Sequence, residues 1–286
     1  MNLLTDADVA RFPISLALEA IRAALRLHAS GQLDAPARLH ASGLTFTVGA
    51  SPQAFGFRVY TTRGVPHDDQ LVAVWDETGR LSGVIVGAAL GVLRTSLLGA
   101  VATDLLAPAT ASRLGLIGSG AQARTHALAA TEVRELSQVL VYSRNVQHSE
   151  TLAAELRALG LNARSESSPE AVCAGSDLLT LATHSAAPVI QAGWVRPGTH
   201  LCTLGPRGQA GQECPPELLD RASLLVTDSP AQLAEQMGQG WSLPVRSLGE
   251  CLLTPPRREA DEVTLFLSAG LAGSEVLLGR ALLAQV

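Results

Sequence analysis

The sequence predicts an α/β protein built on a Rossmann-type, doubly wound parallel sheet, beside a second α+β region. Three observations carry this. From Arg113 onward, short apolar runs alternate with helical stretches, a rhythm that covers a parallel sheet with helices on both faces. The first of those runs, RLGLI, enters the turn Gly118-Ser119-Gly120, and a small-residue helix leaves it. Before Arg113 the pattern is different, with one helical stretch followed by β-like segments.

The elements follow in order. DVARFPISLALEAIRAALRLHASG is apolar at roughly every third and fourth place and closes at Gly31, which predicts a helix. LTFTVGA, AFGFRVYTT and LVAVWDETGRLSGVIV read as strands, with ETGR as a hairpin turn. GAALGVLRTSLLGAVATDLL resumes a small-residue helix that ends before Pro108. The sheet strands are then RLGLI, QVLVY, DLLTLAT, THLCTLG and SLLVTD, separated by helices such as SETLAAELRALG and PPELLDRA. Pro255-Pro256 breaks the chain, PPRREADE is expected as a solvated hinge, and the remainder reads as a strand or turn and a helix.

Composition narrows the function classes. With 47% hydrophobic and 16% charged residues, the 286-residue chain can bury a large core over about two domains. The uncharged run LSGVIVGAALGVL is shorter than the ~18–20 residues that a membrane span needs. Asp6 and Asp8 stand where a signal peptide would be basic, so a cytoplasmic protein without a membrane partner is expected. A net charge of −5, no basic block and 3% aromatics leave nucleic-acid binding without its electrostatic footprint. Cys173, Cys202, Cys214 and Cys251 are widely spaced, with no CxxC pair, and are expected as reduced, mostly buried thiols rather than metal ligands. All 21 basic residues are arginine, which excludes any mechanism through a Schiff-base lysine.

Gly118-Ser119-Gly120-Ala121-Gln122-Ala123 fits G-x-G-x-x-G/A between a strand and a helix. That context lets the backbone approach a pyrophosphate at a helix N-terminus. The next strand, QVLVY, runs into Ser143, Arg144 and Asn145 without the acid that usually holds the ribose hydroxyls of NAD. An arginine there pairs with a 2′-phosphate, so NADP(H) is expected ahead of NAD(H). The plainer reading of Arg144 is a solvated surface residue.

Together, APARLH, FGFRVYTTRGVP, LVAVWDETGRL, LRTSLLGAVATDLLA, GLIGSGAQARTHALA, VYSRN, THSAAPVI and PGTHLCTLGPRGQAGQECPPELL resemble the ornithine cyclodeaminase/μ-crystallin family over nearly the whole chain. The resemblance implies a substrate and dimerisation domain formed by both chain ends, at 1–106 and 255–286, with a Rossmann domain inserted at 107–254. It implies a homodimer and a nicotinamide cofactor. It implies that Arg38 and Arg94 bind substrate, Arg94 gripping a carboxylate, and that Thr183 and His184 line the cofactor path; a simple loop histidine is the other reading of His184. Arg58 stands where the family has a lysine, and Arg207 where cyclodeaminases have a catalytic aspartate. Arg58 keeps the charge but trades no proton near neutral pH. It is a candidate substrate-binding and catalytic residue, and His67, beside Asp69 in VPHDDQ, is a candidate proton donor; a solvated polar turn is the plainer role for both His67 and Asp69.

The expected activity is NADPH-dependent reduction of a cyclic α-imino acid of the Δ1-pyrroline-2-carboxylate or ketimine type. The partner is therefore a small imino or amino acid. A crowd of arginines is unwelcoming to a cationic iminium, and a more anionic, open-chain imine answers that objection. The alternatives are an ornithine cyclodeaminase and a non-catalytic, μ-crystallin-like protein that binds NADPH and a ligand.

Overall fold

The computed structural model describes residues 2–63, 70–206, 211–237 and 244–285. The chain divides into two compact units, Met1–Leu97 with Gly270–Val286, and Leu98–Ala269. These divisions fall elsewhere than the boundaries expected after 106 and 254.

In the first unit the chain forms β1 (Asn2–Leu4), α1 (Asp6–Arg11), α2 (Ile14–Ala29), β2 (Leu39–Ala41), β3 (Leu44–Ala50), β4 (Ala54–Thr61), β5 (Gln70–Asp76) and β6 (Leu81–Val86). It then enters α3 (Ala89–Leu106), and its C-terminal segment returns as α10 (Ser274–Leu283). The single helix expected at the N-terminal end is two, because Pro13 holds an extended ψ of 125° between α1 and α2. The strands lie in the order β1-β6-β5-β4-β3-β2, antiparallel except for the β1–β6 pair. The ETGR turn joins β5 to β6 as expected, held by Asp76 accepting from the Thr78 and Arg80 backbone N–H groups.

Strand alternation gives this sheet two different faces. Ala54 and Arg58 of β4, with Gln70, Val72 and Val74 of β5, point to the side covered by α10; Gly279 of α10 has no room for a side chain against Ile85 and Val74. Phe55 and Phe57 point the other way, onto a face shared with Phe46, Val48 and Trp75. At the top of α10, a Cβ on Gly49 of β3 would fall 2.1 Å from the Gly273 Cα. Two glycines back to back therefore let the first turn of α10 approach the sheet.

The second unit comprises the later part of α3 and β7 (Arg113–Ile117), α4 (Ala121–Thr131), β8 (Gln138–Tyr142), α5 (Val146–Ala158), β9 (Ala163–Ser165), α6 (Pro169–Gly175), β10 (Leu178–Leu181) and β11 (His200–Thr203). It continues with α7 (Pro216–Arg221), β12 (Leu224–Thr227), α8 (Pro230–Met237), β13 (Val245–Ser247), α9 (Leu248–Leu253) and β14 (Thr264–Leu267). All its strands are parallel, in the order β13-β12-β14-β11-β10-β7-β8-β9. Leu114, Leu116, Val139 and Val141 pack with Ala123, Ala127 and Leu156 of α4 and α5 on one face. Ile117, Leu140 and Leu179 pack with Val172 of α6 and Leu218 of α7 on the other. The sheet is doubly wound.

β14 explains the shifted boundary. Its four residues are fully buried between β11 and β12, so the chain beyond Pro255-Pro256 still belongs to this sheet. The expected hinge is likewise tied down, since Arg258 donates to the carbonyls of Gly198 and Glu262 at 2.6 Å. Helix α3 has the length and apolarity of a membrane span, yet 72% of it is buried within the protein. The four cysteines are buried thiols.

Candidate active site

Two sets of residues stand out, one in each unit. In the first unit, Glu275 enters from the first turn of α10 and is 1% exposed. Its Oε1 accepts from Arg94 Nη2 of α3 at 2.5 Å and from Arg58 Nη1 of β4 at 3.0 Å. Burial pushes the Glu275 carboxyl up, but Arg94 and Arg58 outweigh it and hold the group at about 2. Arg58 spends its remaining fork on Gln70 Oε1 and stacks over the Tyr60 ring at 4.6 Å. Burial lowers the Arg58 guanidinium from its ordinary value, and Glu275 opposes that shift.

Arg94 is 5% exposed, and its buried Nε has no hydrogen-bond partner among the described residues. A Cβ on Gly270 would fall 2.6 Å from Arg38 Nη2 and 3.2 Å from Arg94 Nη1. Gly270, at φ +89°, thus has two guanidinium groups converging on it, and only glycine leaves them that space. Of the residues singled out in sequence, Arg38, Arg58 and Arg94 come together here. The donors of Arg58, however, go to protein partners, which makes it a support rather than a free grip on a ligand. His67, Asp69 and Arg207 lie outside the described residues.

The second unit holds the glycine turn. Gly118 closes β7 at φ +118°, and a Cβ on it would strike the Ala182 carbonyl oxygen at 2.3 Å. The turn therefore presses against the end of β10, at the point between β7 and β10 where the strand order reverses. Gly120 caps α4, and a Cβ there meets nothing within 4 Å. Gly120 thus faces open space, with Ala121 and Gln122 supplying the first helical N–H groups and buried Ala123 locking the helix to the sheet. This fits a dinucleotide pyrophosphate.

Ser143, Arg144 and Asn145 follow β8 directly. Asn145 caps α5 by accepting from the Gln147 N–H at 3.0 Å, which leaves Arg144 exposed at the strand end. Thr183 follows β10 and is held through both its N–H and its hydroxyl by Glu213; His184 beside it is exposed.

Sequence reasoning missed Glu275, Gln70 and Glu213. Glu275 had a signal, since it is the lone acid in the apolar run LFLSAGLAGSEVLLG, and a charge there needs a partner. Gln70 and Glu213 carry no such mark.

A model of the ornithine cyclodeaminase/mu-crystallin family matches residues 3–282. The ketimine reductase mu-crystallin of Mus musculus is 26% identical over 225 residues, covering 77% of this chain and 71% of that protein. The L-lysine cyclodeaminase of Streptomyces rapamycinicus is 32% identical over 221 residues, covering 76% of this chain and 62% of that protein. The solved iminosuccinate reductase of Paracoccus denitrificans, in complex with NAD+, superimposes with a TM-score of 0.87 at 25% identity, covering 100% of this chain and 96% of that one.

Proposed function

The chain belongs to the ornithine cyclodeaminase/mu-crystallin family, and on that premise we propose that it is an NADPH-dependent reductase of a cyclic α-imino acid of the Δ1-pyrroline-2-carboxylate or ketimine type. Relatives named as a ketimine reductase and a lysine cyclodeaminase support a reductase or a cyclodeaminase. One observation favours the reductase: the Arg58–Glu275–Arg94 cluster. Its carboxylate is locked between two arginines and held at about 2, far too acidic to take a proton from an amine at neutral pH. Oxidising a primary amine calls for such a base. Reducing a protonated imine calls mainly for a grip on its carboxylate and a fixed orientation.

The chain's residues divide that work. Arg94 and Arg38 converge where a carboxylate is to be held, and a planar guanidinium suits the bidentate contact. Arg58, through Glu275 and Gln70, keeps Arg94 in place. Gly118, Ser119, Gly120, Ala121 and Gln122 take the pyrophosphate, Arg144 with Ser143 and Asn145 favours a 2′-phosphate, and Thr183 and His184 border the nicotinamide half. The reduced nicotinamide, when bound, supplies the hydride.

The test is a panel of cyclic α-imino acids followed at the NADPH absorbance band. NADPH consumption with formation of the cyclic amino acid supports the proposal; NADPH binding without turnover across the panel supports a binding protein instead. A second reading, a more anionic open-chain imino acid, is favoured by the paired guanidinium groups at Gly270 and by the likeness to an iminosuccinate reductase. The panel therefore includes one imine carrying two carboxylates.

The proposed assembly is a homodimer through the outer face of the six-stranded sheet. Leu39, Val48 and Phe55 are 64%, 43% and 39% exposed there, around a groove of about 450 Å3 that Phe46, Phe57 and Trp75 also line. Apolar surface of this kind is what a second copy would cover.

A further inference from the structure

Glu213 lies between β11 and α7 and is 0% exposed. Its Oε2 accepts from the N–H and the hydroxyl of Thr183, at 2.9 and 2.8 Å. Its Oε1 accepts from the Thr203 hydroxyl at 2.8 Å and from the N–H groups of Leu204 and Gly205, at 2.9 and 2.5 Å. Each oxygen thus takes at least one backbone N–H group and one threonine hydroxyl, a cage of donors that suits a carboxylate acting only as an acceptor. All five donors are neutral, and no arginine or histidine among the described residues lies within ion-pair distance of it. A charge buried in this way is costly and calls for a reason.

Its position supplies one. The carboxyl edge of the sheet runs, strand by strand, β8, β7, β10, β11. Arg144 stands at the end of β8 and the glycine turn at the end of β7. A dinucleotide laid with its adenosine end at β8 and its pyrophosphate at β7 must carry its nicotinamide end towards β10 and β11. Those are the two strand ends that Glu213 ties together. Thr183 passes the restraint on, since its hydroxyl also accepts from the Ser185 N–H at 3.1 Å.

We propose that Glu213 is a positioning residue for the nicotinamide end of the dinucleotide, and that its buried negative charge biases the bound cofactor towards the oxidised form, whose ring is cationic. The inference rests on the dinucleotide-dependent reading above and goes beyond it. A buried anion attracts a cationic ring and is indifferent to a neutral one. Relative to a neutral side chain at this place, Glu213 therefore strengthens NADP+ binding more than NADPH binding.

The experiment measures the dissociation constants of NADP+ and NADPH separately, by calorimetry and by NADPH fluorescence, for the unmodified protein, Glu213→Gln and Glu213→Asp. In Glu213→Gln the ratio Kd(NADP+)/Kd(NADPH) rises at least about fivefold, the lower end of ordinary site-to-site couplings. Glu213→Asp keeps the charge but shortens the reach, so both affinities weaken together and the ratio stays within about twofold of the unmodified value. Equal weakening of the two forms in Glu213→Gln overturns the charge assignment and leaves only a structural tie. Should Glu213→Gln fail to fold, Glu213→Asp decides: a ratio that stays within about twofold while both affinities weaken supports the charge assignment, and a ratio that changes more than about fivefold although the charge is kept overturns it. Failure of the unmodified protein to bind either nucleotide overturns the cofactor reading itself, an outcome distinct from a changed or unchanged ratio.

Discussion

Arg94 gives one Nη to Glu275 and keeps a buried Nε without a partner among the described residues, so replacing it should show two separable effects. Arg94→Lys keeps a cation beside Glu275 but loses the planar fork; kcat/KM for imino acids should fall by roughly tenfold or more, with NADPH affinity little changed. Arg94→Ala should also cost about 3 kcal/mol of stability in urea unfolding, because Glu275 is left half-paired in the interior. Unchanged kinetics in both variants would move the carboxylate site elsewhere. Arg144 makes a separate prediction: Arg144→Ala should weaken NADPH by ~1.5–3 kcal/mol and NADH far less, as for loss of a charge-assisted pair. Equal loss for both nucleotides would remove Arg144 from the 2′-phosphate site. At this scale the motifs showed the arginines but not what holds them. Arg94 and Glu275 are 181 positions apart, and no local pattern joins them.

Helix α3 and the strand β11 show how an element can be legible while its chemistry is not. The apolar run of α3 and the strand run THLCTLG both appear in sequence; the burial of His126 against α3 and of His200 within β11 does not. A Cβ on Gly99 would fall 2.6 Å from His126 Nε2, and Cys202, which contacts His200 Nε2 at 3.4 Å, lies near the Gly99 carbonyl. Burial lowers His126 to about 4; burial, with Arg258 and Arg134 adding to it, lowers His200 to about 3. The folded values lie below the ordinary 6.5, so the unfolded chain binds more protons in between, and stability is lost as pH falls below about 6.5. From pH 7 to pH 5 each histidine should cost about 2 kcal/mol, as an upper-range figure. Urea unfolding at the two pH values checks this, and His126→Leu should remove about half of the slope. A pH-independent midpoint would contradict the buried, neutral assignment. Strands of four or more residues were otherwise readable from apolar runs. The three-residue β1, β2, β9 and β13 were not, because three residues are too few to show an apolar run and, β2 apart, each pairs with a strand distant in the chain.

At the scale of the whole molecule, strand–helix alternation disclosed the doubly wound sheet, and motif resemblance disclosed that both chain ends serve one unit. The boundaries were not legible, because β14 reads as an ordinary apolar run and only its pairing with β11 and β12 assigns it to the sheet. The exposed apolar face of the six-stranded sheet carries the assembly prediction. Phe55→Glu should convert a dimer to a monomer in sedimentation, whereas an unmodified protein that sediments as a monomer at micromolar concentration would refute it. The central claim is that the chain delivers a hydride to the imine carbon of a cyclic α-imino acid, and isotope transfer measures this most directly. The protein is incubated with Δ1-pyrroline-2-carboxylate or its six-membered homologue and NADPH deuterated at one or the other C4 position. One of the two labelled cofactors should yield a cyclic amino acid with one deuterium at its α-carbon for each NADPH consumed, while L-ornithine with NADP+ releases no ammonia. An unlabelled product with both cofactors, or ammonia release from L-ornithine at a rate rivalling imine reduction, would contradict the account.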